Sequence, residues 1–364
     1  QITAHPETPR SDMLLTISIR FITMPSLITL LALVVLMSVP GACTRDSSTA
    51  AARDVVFAVT IVSSLTDPRF TGDSDIFSIG KNSEDILQLT AAEGKDFSPA
   101  WSPKKGAIAF ISERNGYPAL WIMDIDGKSK DQISPPDKIV TNFKWAPDSN
   151  RIAVEIQEDE SYGFGLIDLQ LNTFSRLTLQ KHNVKIGGWS PDGEWIVFFS
   201  VEKGNQGIRR SNPNGVDEIA VSTGPGSNPQ YSPDGRSIAF NRLGETGAMN
   251  LVITDINGGN VVNLAPDILN KTQFEWAPDS KRIVFVSEST GNAEIYTVEP
   301  DGDHLSKLTS NRLTDAAPHW SRNGKSILFL SESAGTFSLY TMDRDGDNQK
   351  KINLAPDAVL ESDW

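Results

Sequence analysis

The chain has 364 residues, of which 39% are hydrophobic, and a formal net charge of −13. The acidic balance argues against nucleic acid and anionic lipid as partners, because both carry negative charge. Cys43 is the only cysteine, so an intramolecular disulfide is excluded. The length alone allows either two domains or one large all-β domain.

The N-terminal segment predicts export. An apolar run extends from residue 27 to residue 39, after Arg20 and directly before Pro40, Gly41, Ala42 and Cys43. The run is shorter than the roughly 20 apolar residues that a membrane-spanning helix needs, and its flanks are typical of a secretory signal. We therefore expect residues 1–42 to be upstream residues and a signal peptide that is removed, with residues 43–53 as a flexible tether.

The position of Cys43 resembles the bacterial lipobox. That resemblance implies that Cys43 is acylated and becomes the mature N-terminus, so that the lipid anchor is the chain's one contact with a membrane. The resemblance therefore predicts a periplasmic or cell-surface lipoprotein. Thr44 after the cysteine further implies the outer membrane if the cell is Gram-negative. The alternative is a simple cleaved signal in which the cysteine is a coincidence.

The remainder, residues 54–364, repeats one unit. An aromatic residue recurs at spacings of 44, 44, 42, 45, 44 and 44 residues, at Trp101, Trp145, Trp189, Tyr231, Trp276, Trp320 and Trp364. A period of this length in β-rich sequence is typical of a propeller blade of four antiparallel strands. Side chains seven and nine residues after each aromatic share one face of the second strand, and we expect them in the core between blades: Ile108, Phe110, Ile152, Val154, Ile196, Phe198, Ile238, Phe240, Ile283, Phe285, Ile327 and Phe329.

The two ends of the repeat predict how the ring closes. The segment from Val55 to Thr90 aligns with the last three strands of a blade, whereas residues 361–364 align with a first strand that nothing follows. Pairing of the C-terminal strand beside the strand around Val55 would remove two unpaired edges. The predicted fold is therefore an all-β, seven-bladed β-propeller that forms a single domain and is closed by the C-terminal strand.

Turn residues support the same repeat. Pro-Asp pairs follow four of the aromatic positions, and Asp-Gly or Asn-Gly pairs precede the fourth strand in five repeats. Repeats of the form W-[SA]-P-D-[GS]-x-x-I-x-F-x-S, followed by I-Y-x-x-x-x-D-G and a closing L-T, resemble the TolB-type, WD-repeat-like β-propeller family. The resemblance covers roughly Val55 to Trp364 and implies a protein that acts through protein partners in the cell envelope.

One face of the predicted disc carries the variable loops and the links between blades, where recognition is normally placed. It offers aromatic and acidic side chains that suit a protein or peptide of basic character, namely Phe70, Tyr117, Tyr162, Phe164, Glu113, Glu288 and Glu332. The alternative is a solvated loop face that binds nothing.

The residue before each aromatic is expected to line the central tunnel. The polar members of this set are Lys144, Gln230, Glu275, His319 and Asp363. Glu275, His319 and Asp363 come from consecutive repeats and are of the types that bind a divalent metal or transfer protons. A polar, water-filled tunnel without chemistry is the alternative.

No hydrolase elbow of the form G-x-S-x-G and no phosphate loop occurs in the sequence. Our first hypothesis is therefore a monomeric, non-catalytic binding propeller without a cofactor, which acts as an interaction scaffold in the envelope. The second is a metal-dependent enzyme or a binder of a small ligand, such as a carbohydrate or lactone, at the tunnel mouth.

Overall fold

The structure is a computed structural model and describes residues 36–37, 53–60, 74–80, 86–104, 106–158, 161–177, 184–201, 204, 206–245, 247–268, 270–333 and 336–352. These residues form strands and turns. Among them there is no helix with the length and apolar character needed to cross a bilayer.

Six blades follow one another along the chain, each made of four antiparallel strands from one continuous stretch. Blade 1 contains β5 (Asp96–Trp101), β6 (Ala107–Ser112), β7 (Ala119–Asp124) and β8 (Lys130–Gln132) in the numbering of the whole chain. Blade 2 contains β9 (Ile139–Trp145), β10 (Arg151–Glu158), β11 (Ser161–Asp168) and β12 (Thr173–Arg176). Blade 3 contains β13 (Val184–Trp189), β14 (Ile196–Ser200), β15 (Gly207–Ser211) and β16 (Glu218–Thr223).

The second half of the chain repeats the arrangement. Blade 4 contains β17 (Gly226–Tyr231), β18 (Ser237–Leu243), β19 (Met249–Asp255) and β20 (Val262–Leu264). Blade 5 contains β21 (Lys271–Trp276), β22 (Ile283–Ser287), β23 (Glu294–Val298) and β24 (Ser306–Lys307). Blade 6 contains β25 (Thr314–Trp320), β26 (Ser326–Ser333), β27 (Thr336–Asp343) and β28 (Lys350–Lys351).

A further sheet precedes the six blades, and its strand pairing differs from the predicted closure. It consists of β1 (Leu36–Met37), β2 (Arg53–Thr60), β3 (Ser74–Gly80) and β4 (Ile86–Gln88). Leu36 pairs with Val56 and Met37 with Val55, so β1 occupies the edge of β2 that the prediction gave to residues 361–364. The prediction of a seven-bladed ring closed by the C-terminal strand is therefore wrong, because β3 and β1 already use both edges of β2. Trp364 and its neighbours lie outside the described residues.

The core lies between sheets, as the repeat predicted. All twelve Ile, Phe and Val side chains expected there are at most 2% exposed. Ile76 and Leu89 of the N-terminal sheet pack with Trp101, Ile108 and Phe110 of blade 1, and the same arrangement recurs between later blades. Full burial of each such side chain stabilises the fold by about 1.5–3 kcal/mol.

The turns adopt the predicted backbone. Gly193 and Gly235 close the Ser-Pro-Asp-Gly turns at φ of 74°, a left-handed conformation that glycine adopts without steric cost. Where the repeat has serine instead, at Ser149 and Ser280, φ is still positive. The second strand thus leaves the turn in the same direction whichever residue is present.

The first strand of a blade is irregular just before the residue that precedes the aromatic. Pairing between first and second strands shifts register there in several blades. Ser98, Asn228 and Ala317 lie three residues before the aromatic and have φ of 51°, 51° and 48°. Such bulges change the direction of the strand and the side chains that follow. They set the position of the residue that precedes each aromatic.

Candidate functional site

Two of the predicted tunnel residues contact one another. Glu275 on β21 and His319 on β25 approach to 3.1 Å between Oε2 and Nδ1. The backbone N–H of Trp320 donates to the same oxygen at 3.1 Å. Both side chains keep some exposure, 30% for Glu275 and 19% for His319. A carboxylate that holds one ring nitrogen fixes the orientation of the imidazole, as in acid–base and metal sites.

Lys144, another predicted tunnel residue, interacts electrostatically with Glu275. Burial lowers the pKa of its ammonium, and the negative charges of Glu155 and Glu275 partly offset that effect. Lys144 is in blade 2 and Glu275 in blade 5, with two blades between them along the chain. Of the predicted tunnel residues, Glu275 and His319 are therefore in contact, and Lys144 interacts electrostatically with Glu275.

The remaining tunnel residues do not complete a metal site. Gln230 donates its side-chain N–H to the carbonyl of Phe274 at 3.0 Å, which ties blade 4 to blade 5. Asp363, the third member of the predicted metal set, lies outside the described residues. Within the described part of the chain no three His, Cys, Asp or Glu side chains are grouped around a possible ion.

The face that carries the links and the loops between second and third strands is acidic. In the described residues of these segments the exposed charged side chains are five acids and one base: Glu93, Asp137, Glu245, Asp267, Glu288 and Arg312. Lys138 is partly buried and pairs with Asp137 and Glu158 at 3.4 Å in each case. Arg114 is bound to Asp96. Lys138 and Arg114 are therefore neutralised by acids, Asp137 among them, and most of the exposed charge on the described part of this face is negative.

The aromatic side chains predicted to bind a partner differ in exposure. Tyr117 and Tyr162 are half-buried, and the Lys185 ammonium lies 4.1 Å from the Tyr162 ring centre. Phe164 is 2% exposed and packs against Phe198, with ring centres 5.2 Å apart, in the core between blades 2 and 3, so its prediction as an exposed anchor is wrong. Residues 162 and 164 share one face of β11, as strand alternation requires, but only Phe164 lies deep in the interface. Phe70 lies outside the described residues.

The three acids predicted for the same role are separate from one another. Glu288 is exposed on the loop that follows β22, whereas Glu113 and Glu332 are half-buried. Glu113 also closes a local turn, since its carbonyl accepts the N–H of Gly116 at 2.7 Å. Of these side chains, Glu288 is the one most available to a partner.

Buried charges between blades were missed by the sequence reasoning. Glu155, Glu294, Asp96, Asp315 and Lys271 are each at most 1% exposed. Glu155 accepts the N–H of Ile186 at 2.7 Å and lies 3.2 Å from the Lys185 ammonium, which links blades 2 and 3. Part of this set could have been recognised from the sequence, because an acid, a threonine and an aspartate recur at equal spacing in two repeats.

Comparison with protein families agrees with the blade period. The model described as "TolB beta propeller domain" matches residues 60–227 and 189–358. Together these ranges cover most of the chain, from β2 to beyond β28.

Two curated relatives illustrate how that propeller is used. A protein TolB homolog of Chlorobium luteolum is 28% identical over 199 residues, which cover 54% of this chain and 45% of the relative. Dipeptidyl-peptidase 5 of Porphyromonas gingivalis is 22% identical over 285 residues, which cover 62% of this chain and 42% of the relative. The chain spans less than half the length of these relatives.

Solved structures share the fold. TolB from Acinetobacter baumannii has a TM-score of 0.51 and 19% identity and covers 64% of this chain and 58% of its own. An oligogalacturonate lyase in complex with manganese has a TM-score of 0.63 and 14% identity, with coverage of 75% and 83%. A puromycin hydrolase has a TM-score of 0.65 and 14% identity, with coverage of 85% and 53%. At these identities the likeness shows the fold alone, because one fold serves many activities.

Proposed function

Because the chain belongs to the TolB beta-propeller domain family, we propose that it is a non-catalytic binding propeller of the bacterial cell envelope. Its partner is a protein or peptide of basic character that docks on the face formed by the links and the loops between second and third strands. The relatives include both a TolB homolog and a peptidase. The choice between binding and catalysis therefore depends on the site.

The observation that carries the proposal is the charge of that face. Its exposed acids outnumber its exposed bases by five to one in the described residues. Acidic side chains on a rigid scaffold accelerate encounter with a basic partner and select against acidic ones. Half-buried Tyr117 and Tyr162 add apolar contact area beside these charges.

Capture from envelope extracts with charge-reversal variants tests this proposal. Replacing both Asp267 and Glu288 by lysine should reduce the amount of partner retained, and added salt should weaken retention by the wild type. The matched control is Glu194→Lys, an equally exposed acid on the turn before β14, on the opposite face. Equal retention by the wild type, the double variant and the control would contradict the proposal.

Export through the N-terminal segment belongs to the same proposal. Its support is the apolar run 27–39 with Cys43 directly after Gly41 and Ala42. Mass analysis of the protein from a native membrane fraction should find an acylated Cys43 at the N-terminus, and a Cys43→Ala variant should move to the soluble fraction. An unprocessed N-terminus in the soluble fraction would contradict it.

A second candidate rests on the 3.1 Å contact between Glu275 and His319. In this function the channel binds a small ligand such as a carbohydrate or lactone, or holds a metal for catalysis. Metal analysis of purified wild-type and His319→Ala protein separates the two candidates. Bound metal that the variant loses would favour the channel, whereas metal-free protein that still captures a partner would favour the binding propeller.

A further inference from the structure

The first strands of consecutive blades lie side by side. The indole N–H of Trp145 donates to the carbonyl of Ala100 at 3.2 Å, and that of Trp189 donates to the carbonyl of Lys144 at 3.0 Å. Further hydrogen bonds tie β17 to β21 and β21 to β25, and β13 contacts β17. The six first strands therefore form one continuous wall, as expected of the strands nearest the axis of a propeller, and Lys144 lies on it.

Lys144 is enclosed by protein in a place that water still reaches. It is half-buried, yet burial is the main cause that lowers the pKa of its ammonium below the ordinary value of 10.5. Within the described residues the Lys144 ammonium makes no hydrogen bond and no ion pair. A group that is both enclosed and accessible to water lies at the wall of a cavity rather than inside a packed core.

The two acids whose charges act on Lys144 are bound to other groups. Glu155 accepts the N–H of Ile186 at 2.7 Å and lies 3.2 Å from the Lys185 ammonium. Glu275 is held by two groups of blade 6. Both charges raise the pKa of Lys144, but burial outweighs them. In the described part of the chain the ammonium therefore lacks a counter-ion, and an enclosed cation without one is costly.

The neighbouring position of the wall is open. Gly188 has in blade 3 the place that Lys144 has in blade 2, because each directly precedes the repeated tryptophan. A Cβ added at Gly188 would meet no atom of the described residues within 4 Å, whereas one added at Gly187 would overlap the carbonyl oxygen of Pro229. Ala100, the equivalent residue of blade 1, is also small. The cation is thus flanked along the wall by two residues that leave room for a ligand.

The charge of this place favours an anion that carries a single charge. An ammonium has three N–H donors and no acceptor, so its ligand must supply acceptor oxygens. One ammonium neutralises one negative charge, and the chain as a whole carries −13. A dianion would keep an excess charge in the field of Glu275. A carboxylate meets both requirements, because it has two acceptor oxygens and one charge.

We propose that the wall at Lys144 and Gly188 binds a small carboxylate monoanion, with the Lys144 ammonium as its counter-ion. This site is separate from the acidic loop face and does not depend on docking of a basic partner there. The bound carboxylate stabilises the charged form of the ammonium, so binding is accompanied by uptake of a proton. Glu155, Lys185 and Glu275, the charged groups around Lys144, keep their own contacts in every variant below.

The test follows the ¹³Cε NMR signals of labelled lysine in the full chain as pH is varied, with and without sodium acetate at constant ionic strength. The Lys144→Met variant assigns the Lys144 signal by its loss. Acetate should bind with a dissociation constant on the order of 10⁻⁴–10⁻² M. At about ten times that concentration it should raise the midpoint of the Lys144 titration by about one pH unit, because it binds the charged form alone. The midpoint of Lys281, on the exposed turn before β22, is the internal control and should not move.

Gly188→Leu and Gly188→Ala are a matched pair of variants. Leucine fills the open position and should abolish the effect of acetate on Lys144, whereas alanine should keep both that effect and the wild-type Tm. A wild-type Lys144 midpoint that acetate leaves unchanged overturns the proposal. An equal rise in the wild type and in Gly188→Leu also overturns it, because the anion then binds elsewhere. A larger rise with inorganic phosphate than with acetate overturns the assignment to a carboxylate monoanion.

Discussion

The Nδ1 of His319 lies 3.1 Å from Oε2 of Glu275, and this contact joins the inner strands of blades 5 and 6. The same oxygen accepts the N–H of Trp320, so one carboxylate satisfies two donors of the neighbouring blade. The channel wall is therefore both a candidate site and a structural connection between blades. Variants of either residue will report on both roles.

Replacing Glu275 by alanine should lower the free energy of unfolding by about 1–3 kcal/mol, because the Trp320 N–H loses its acceptor. Urea unfolding measures the change. Glu288→Ala, on an exposed loop, is the control and should change stability by less than about 0.5 kcal/mol. Equal stability of the two variants would show that the contact contributes nothing.

Phe164 and Tyr162 should respond in opposite ways, although they are two residues apart on β11. Phe164→Ala removes a core side chain that packs on Phe198 and should cost about 3–5 kcal/mol of stability. Tyr162→Ala loses its contact with Lys185 and should cost about 1 kcal/mol or less. Thermal unfolding and partner capture, both measured on the two variants, separate the effect on stability from the effect on binding. A loss of capture at full stability in Tyr162→Ala would place that ring in the docking surface.

Lys271 should make stability depend on pH in the alkaline range. It is 0% exposed, and its ammonium donates to the carbonyls of Ala265, at 3.1 Å, and Ile268. Burial lowers its pKa from 10.5 to about 8. Between those values the unfolded chain holds the proton and the folded chain has released it, so stability rises with pH. Below about pH 8 both states are charged, and the contribution is constant.

The measurement is the difference in unfolding free energy between wild type and Lys271→Met at several pH values. The wild type should gain about 3 kcal/mol relative to the variant between pH 8 and 10.5. Lys281→Met, on the exposed turn before β22, is the control and should show no such trend. A difference that is flat over this range would contradict the predicted change in protonation.

The repeat could be derived from sequence because the physics of each blade is local. Strand alternation places Ile283 and Phe285 on one face, and glycine at positive φ fixes the turns. A repeated spacing in the sequence is therefore enough to predict a repeated blade. Closure could not be derived in the same way. Pairing of Leu36 and Met37 with β2 joins residues from the apolar run, whose composition is equally typical of a signal and of a strand.

The candidate site was predictable in position but only partly in chemistry. The residue before each aromatic identified Glu275 and His319, which are in contact in the structure, and Lys144, which interacts electrostatically with Glu275. The buried charged side chains between blades were not predicted, because in the sequence a single charged residue at the start of a strand cannot be distinguished from an exposed one. Asp315 and Lys271 occupy equivalent positions at the start of inner strands, yet one is an acid and the other a base. Only the three-dimensional neighbours decide how each is neutralised.

The role of β1 leads to the last prediction. Processing at Cys43, as proposed above, removes Leu36 and Met37, so β2 of the processed chain is left with an unpaired inner edge. Unpaired edges promote association between chains. We expect this chain to show a lower Tm and more self-association in light scattering than the full chain. A chain that starts at residue 21 keeps β1 and is the matched control. If both shortened chains match the full chain in Tm and size, β1 does not stabilise the N-terminal sheet.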